Sequence, residues 1–150
     1  MEFIETSIKG AIICIPKVFK DQRGYFFESY NKKNLENANI NCEFIQDNQS
    51  HSVYGTIRGL HFQKGDYAQA KLIRVIKGKI LDVIVDLRKD SSTFGQYDSI
   101  ELSDENTKQI FIPRGCAHGF SVLSEEALIV YKCDNFYNAE SESGILYNDP

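Results

Sequence analysis

Short runs of alternating apolar and polar residues, separated by glycine and polar turns, recur along the chain. No run longer than about ten residues carries helical periodicity. The alternation is sharpest at 80–87, where Leu81, Val83, Val85 and Leu87 share one side and Ile80, Asp82, Ile84 and Asp86 the other. This predicts a half-buried strand with an unusually polar second face. The LIRVI run after Lys71 predicts another strand, and the Lys77-Gly78-Lys79 turn predicts that the two pair as a hairpin. AIICIP, limited by Pro16, YDSIEL, QIFIPRGCAHGFSVLS and EALIVYKC add further strands, with NAESESG and ILYNDP as a turn and a terminal strand. CEFIQDNQSHSVYGTIRGLHF is strand-like text broken by the polar QDNQSHS segment and by Gly55, while residues 31 to 41 read as a short helix or loop. In KVFKDQRGYFFESY, Arg23-Gly24 marks a turn, after which aromatic side chains fall on both sides of the Tyr25–Tyr30 run. Such a strand suits a place between a core and a second surface, a partner subunit or a ligand. Many short strands predict one all-β domain over residues 1–150, an antiparallel sandwich or a barrel of the jelly-roll kind.

Composition narrows the function classes. The chain has 42% apolar and 25% charged residues and a formal charge of −4, with no lysine-arginine block. That disfavours a nucleic-acid surface and leaves room for a nucleotide, which needs only a few local cations. Cys14, Cys42, Cys116 and Cys133 show neither CxxC spacing nor a disulfide framework, and suit a reducing cytoplasm. No apolar run approaches membrane-spanning length, so a membrane role has no support.

The candidate chemistry gathers in RGLHFQKGDYAQAKLIRVIKGK. His61, between Leu60 and Phe62, fits a partly buried imidazole able to act as a base, and it fits equally a histidine that only fills a strand face. Arg58 and Lys71 suit an oxygen-rich ligand. His118, in IPRGCAHGF, points inward as a site residue or as a core histidine. Tyr131 shares a strand side with Ile129 and Cys133, as an acid or as a packed phenol. Gln46, Asp47 and Asn48 could read a base edge, although an Asx turn explains them as well. Arg23 and Glu28 read as turn and strand charges on local evidence. With His51, His61 and His118 as the only histidines and no HxH or HExxH pattern, no metal site is expected, although His61, His118 and a carboxylate leave a zinc or iron site geometrically possible. Neither GxGxxG, GxxxxGK[ST] nor GxSxG is present.

Taken in order, KVFKDQRGYFFESY, QDNQSHS, IRGLHFQ, QAKLIRVIKGKILDVIVDLRKDSSTFGQY, ELSDENTKQIFIPRGCAHGFSVLS, VYKCDNFY and ILYNDP resemble the dTDP-4-dehydrorhamnose 3,5-epimerase family over nearly the whole chain. The resemblance implies a cupin-type antiparallel jelly-roll barrel, a homodimer with exchanged N-terminal strands, and a dTDP-4-keto-6-deoxy sugar as substrate, with no metal or other cofactor. It implies His61 as general base and Tyr131 as opposing acid, with Arg58, Lys71 and His118 lining the substrate site. Arg23, Glu28, Gln46, Asp47, Asn48 and Glu142 would surround the nucleotide sugar, and Tyr137 would stack on thymine. In the family a further segment follows the position of Asn148-Asp149-Pro150 and carries an aspartate that orients the base histidine. Rival activities on the same scaffold stay open at this point: epimerisation at C3 or C5 alone, movement of the ketone between C3 and C4, or sugar-nucleotide binding without catalysis.

Overall fold

Where apolar residues alternate sharply, strands form, and the computed structural model describes them over residues 1–149. Pro150, the last residue of the predicted terminal strand, lies outside the described residues. In chain order the strands are β1 (Glu2–Glu5), β2 (Ile12–Ile15), β3 (Phe19–Asp21), β4 (Gly24–Phe26), β5 (Gln46–Val53), β6 (Ile57–Gln63), β7 (Lys71–Lys77), β8 (Lys79–Asp86), β9 (Tyr97–Ser103), β10 (Gln109–Ile112), β11 (Cys116–Val122), β12 (Glu126–Cys133) and β13 (Glu142–Gly144). The helix α1 (Lys32–Asn37) starts at Asn31, whose side chain accepts a bond from the Asn34 N–H, and its buried contact is Leu35.

The all-β, antiparallel part of the expectation holds, and the jelly-roll barrel does not. Six strands form one open sheet in the order β1-β2-β10-β7-β12-β5, five form a second in the order β13-β6-β11-β8-β9, and β3-β4 stand apart as a hairpin. Each order is linear, so neither large sheet closes on itself. A barrel needs a continuous ladder of hydrogen bonds around its wall. Here the walls meet through side chains instead. Ile73, Val75, Ile110, Ile112, Ala127 and Ile129 from one sheet pack on Ile80, Ile84, Leu102, Phe120 and Val122 from the other. Each buried isoleucine contributes about 1.5–3 kcal/mol. On the outer face of the six-stranded sheet, Leu72, Phe111 and Cys14 pack with Leu35 and Ile40.

Four local expectations are also corrected. The Lys77-Gly78-Lys79 turn does not close a hairpin, because β7 pairs with β10 and β12 while β8 pairs with β9 and β11. The chain instead turns a corner from one sheet to the other at Gly78, whose φ is +83° and whose missing side chain leaves room for the Glu126 carbonyl. On β8 the polar-looking side is the buried one: Ile80, Asp82, Ile84 and Asp86 are at most 1% exposed, whereas Leu81 is 36% exposed. The polar segment at QDNQSHS is no break, since β5 pairs with β12 along its whole length. As an edge strand it has one open side, where polar residues cost little. The last strand is ESG rather than ILYNDP, although Ile145 still exchanges backbone bonds with Leu60. Among the described residues no helix is long and apolar enough to cross a membrane.

Candidate active site

Arg58 and His61 are three residues apart, so a regular strand would send them to opposite faces. Pairing of β6 with β11 prevents this. His61 lies opposite His118, Arg58 lies opposite Phe120, and the register shifts between them, which inserts one extra β6 residue. The irregularity falls at Gly59, with φ +120°, where an added Cβ would sit 2.5 Å from the Gly119 Cα. Two glycines thus let the strands approach, and Arg58, His61 and His118 line one face. The opposite wall comes from the six-stranded sheet. There Tyr131 of β12 is flanked by Asn48 of β5 and Ile73 of β7, and Cys133 by Gln46 and Lys71.

Between the walls is a cavity of about 690 Å³, floored by Ile73, Phe120 and Ile129 and bordered by Gln46, Asn48, Arg58, His61, Lys71, His118, Tyr131, Tyr137 and Glu142. Tyr137 stands at the mouth. Its backbone N–H donates to Gln46 Oε1 at 3.1 Å, and its hydroxyl donates to Glu142 Oε2 at 2.7 Å. Strand β13 sets Glu142 opposite Gln63 and Gly144 opposite His61, so Glu142 is a diagonal neighbour of the histidine. Its Oε1 lies 3.5 Å from His61 Nδ1.

Burial tunes the charged groups. It pushes the Lys71 ammonium down from its usual range, and nearby negative groups, Asp82 and Glu142 among them, oppose the shift. Burial also raises the Tyr131 phenol, against the attraction of Arg58. The Lys71 Nζ lies 5.9 Å from the Tyr131 ring centre. Arg58 Nε donates to Ser52 Oγ at 2.9 Å, which steadies the guanidinium. His118 Nε2 is 2.7 Å from Asp82 Oδ2. An imidazole, a phenol and two cationic side chains face one open cavity, a set suited to moving protons next to a polarised carbonyl.

Three residues of the predicted set lie elsewhere. Arg23 is on the β3–β4 hairpin, bonded to Asp21 at 2.6 Å. Glu28 is exposed and accepts a bond from Asn34 at 3.1 Å. Asp47 faces the other side of β5, paired with Lys132 at 2.9 Å. Sequence reasoning assigned no role to Asp82, whose signal was an acid on the otherwise isoleucine-bearing side of an alternating run shared with Asp86. It also missed Gln63, which is 6% exposed. The Gln63 amide donates to the Tyr67 carbonyl at 2.6 Å and the Phe136 carbonyl at 3.1 Å, and accepts from the Asn138 N–H at 2.8 Å. No group of three or more His, Cys, Asp or Glu side chains among the described residues is arranged to hold a metal ion.

The family model described as dTDP-4-dehydrorhamnose 3,5-epimerase matches residues 5–150. The chain belongs to that family. A 3,5-epimerase of the family from Methanothermobacter thermautotrophicus is 51% identical, over 99% of this chain and 80% of the relative. The family's crystal structure from Bacillus anthracis, with TDP and PPi bound, is 51% identical with a TM-score of 0.96, covering 99% of this chain and 85% of that one. A Legionella pneumophila structure in complex with dTDP-4-keto-L-rhamnose is 46% identical with a TM-score of 0.95, covering 99% and 79%.

Proposed function

We propose that the chain catalyses the 3,5-epimerisation of dTDP-4-dehydro-6-deoxy-D-glucose to dTDP-4-dehydro-L-rhamnose, through enolate intermediates and without a cofactor. The observation that carries the reading is that His61 and Tyr131 stand on facing sheets of one cavity, in a chain about half identical to known epimerases. The C4 ketone acidifies the hydrogens at C3 and C5. His61 removes one of them, and Lys71 offsets the charge that grows on the C4 oxygen. Tyr131 returns a proton from the opposite face, which inverts the centre. Base, acid and oxyanion donors supply all that this chemistry asks of the protein.

At the nucleotide end, Tyr137 stacks on thymine while Gln46, Asn48 and Glu142 take its polar edges and the sugar. Arg58 serves the diphosphate, as a planar guanidinium does well. The reading extends to a cytoplasmic homodimer in which each 1–150 stretch works as one epimerase domain and the N-terminal strands cross to the partner. Arg23 and Glu28, remote from their own cavity, then serve the partner's site together with Asp47 at the edge strand. Support comes from the exposed aromatic side chains of the hairpin, with Tyr25 at 62% and Phe26 at 70% exposure.

The test follows the substrate in deuterium oxide by NMR. The native chain incorporates deuterium at C3 and C5 and inverts both centres. His61→Asn lowers both exchange rates by about 10² to 10⁴. Tyr131→Phe retains some exchange with disproportionately poor inversion, because His61 can return a proton only to the face it came from. Normal exchange by folded H61N protein, or normal inversion by folded Y131F protein, removes that residue from the mechanism.

A further inference from the structure

Gln63 ends β6 two residues after His61, and it is 6% exposed. A primary amide taken out of water costs free energy unless its donors and its acceptor find partners. Those of Gln63 do. Nε2 donates to the Tyr67 carbonyl at 2.6 Å and to the Phe136 carbonyl at 3.1 Å, and Oε1 accepts from the Asn138 N–H at 2.8 Å. The last two bonds bracket one residue. The Phe136 carbonyl belongs to the peptide unit that enters Tyr137 and the Asn138 N–H to the unit that leaves it, so one side chain holds both planes about which the Tyr137 backbone turns. The Tyr137 N–H itself donates to Gln46 Oε1 at 3.1 Å, from the opposite sheet. Residues 134–138 belong to no helix or strand. Side-chain amides there take the place that a neighbouring strand's backbone would fill.

We infer that Gln63 is a positioning residue for nucleotide recognition: it fixes the Tyr137 backbone so that the ring stands ready to stack on thymine at the cavity mouth. The inference rests on the epimerase reading above and deepens it at the nucleotide end. Tyr137 is 59% exposed, so packing does not hold it in place. Two tethers do. Its flanking peptide units are bonded to Gln63 and its hydroxyl to Glu142, and these two residues stand directly opposite each other in the β6–β13 ladder. A ring held at both ends by one cross-strand pair has lost most of its freedom before a ligand arrives. The ordering that stacking would otherwise require is already done. Both amide hydrogens of Gln63 are engaged, so it acts through Tyr137 rather than as a donor to the ligand. Filling space at this position would not need an amide, because a methionine has the same reach.

Gln63→Met keeps the length and removes all three bonds, and calorimetry with dTDP reads the result. Tyr137→Ala weakens binding about 10- to 100-fold, the range for loss of one stacking ring. Q63M weakens it about tenfold with the ring still present, and the double variant binds no more weakly than Y137A alone, because both changes remove the same contact. In the deuterium-exchange assay the Q63M defect lies in KM, and the rate at saturating substrate falls far less. A general loosening of the structure would lower both and would add to the Y137A loss. Amide hydrogen exchange gives a readout that needs no ligand: the Asn138 N–H is protected in the native chain and unprotected in Q63M. Native dTDP affinity in folded Q63M, losses that multiply in the double variant, or an unprotected Asn138 N–H in the native chain overturns the inference. Should Q63M not fold, the affinity tests pass to Gln63→Glu, which keeps the acceptor for Asn138 and loses both donors. If Y137A binds dTDP as the native chain does, the ring has no part in recognition and the inference falls, while substrate exchange still decides the epimerase reading. A native chain that binds dTDP but exchanges no substrate hydrogen fails that reading and leaves the affinities to judge Gln63.

Discussion

Asp82 and Asp86 lie on the same water-free face of β8, four residues apart, and the chain treats them differently. Where Asp82 has one partner, Asp86 has a full set. Arg88 donates to it through Nε and a terminal nitrogen, each at 2.8 Å, and through its backbone N–H at 3.0 Å, and Thr93 adds a hydroxyl at 2.7 Å. Burial alone would raise this carboxyl, but the bonds from Arg88, Ser91 and Thr93 outweigh it and hold the group well below the usual carboxylate range. Because the folded value is depressed, the stabilisation is fully present above about pH 4 and is lost as pH falls toward the folded value. Asp86→Asn leaves the Arg88 charge partly buried and costs about 3 kcal/mol near neutral pH. Urea unfolding at pH 7 and in acid checks this: the gap between native and D86N proteins is large at pH 7 and shrinks in acid. Equal midpoints at pH 7 would show that the cluster contributes nothing.

Strand pairing decides which of these residues meet, and it was only partly legible in the sequence. Alternation located β7, β8, β9 and β12, because apolar side chains on one face need only local text to be seen. It did not reveal that Gly78 turns a corner, since a hairpin and a corner use the same turn residues and differ in partners far along the chain. It also misjudged β8, because a buried acid looks solvent-facing until its partner, Arg88 or His118, is known. The bulge at Gly59 was invisible for a similar reason: it exists only against β11. Gly59→Ala tests its importance. The new Cβ collides with Gly119, and the site wall must shift, so stability falls by roughly 1–3 kcal/mol and dTDP affinity falls with it. Gly55→Ala is the control, with φ +75° and open space around it. It carries the conformational cost without the collision. Thermal melting and calorimetry with dTDP distinguish the two, and an equal effect from both variants would deny the bulge a special role.

At the scale of the whole molecule, two open sheets leave edges, and the β3–β4 hairpin pairs with neither, with Phe19, Tyr25 and Phe26 each more than half exposed. Apolar surface of this kind is commonly covered by a partner. The double substitution Tyr25→Ser with Phe26→Ser shifts the chain from dimer to monomer in light scattering, and a native chain that is already monomeric would end the strand-exchange proposal. The two-faced aromatic run was legible in the sequence, whereas its lack of a ladder partner in either large sheet was not, because nothing local states which strands will pair. Within the body, Gln63 draws the Tyr67, Phe136 and Asn138 backbones onto the strand that carries His61. One side chain thereby joins the rim that holds Tyr137 to the strand of His61, the base of the proposed reaction. In the proposed reaction the span between them works as a caliper set by Gln63, which gauges a ligand by its length as well as by its functional groups.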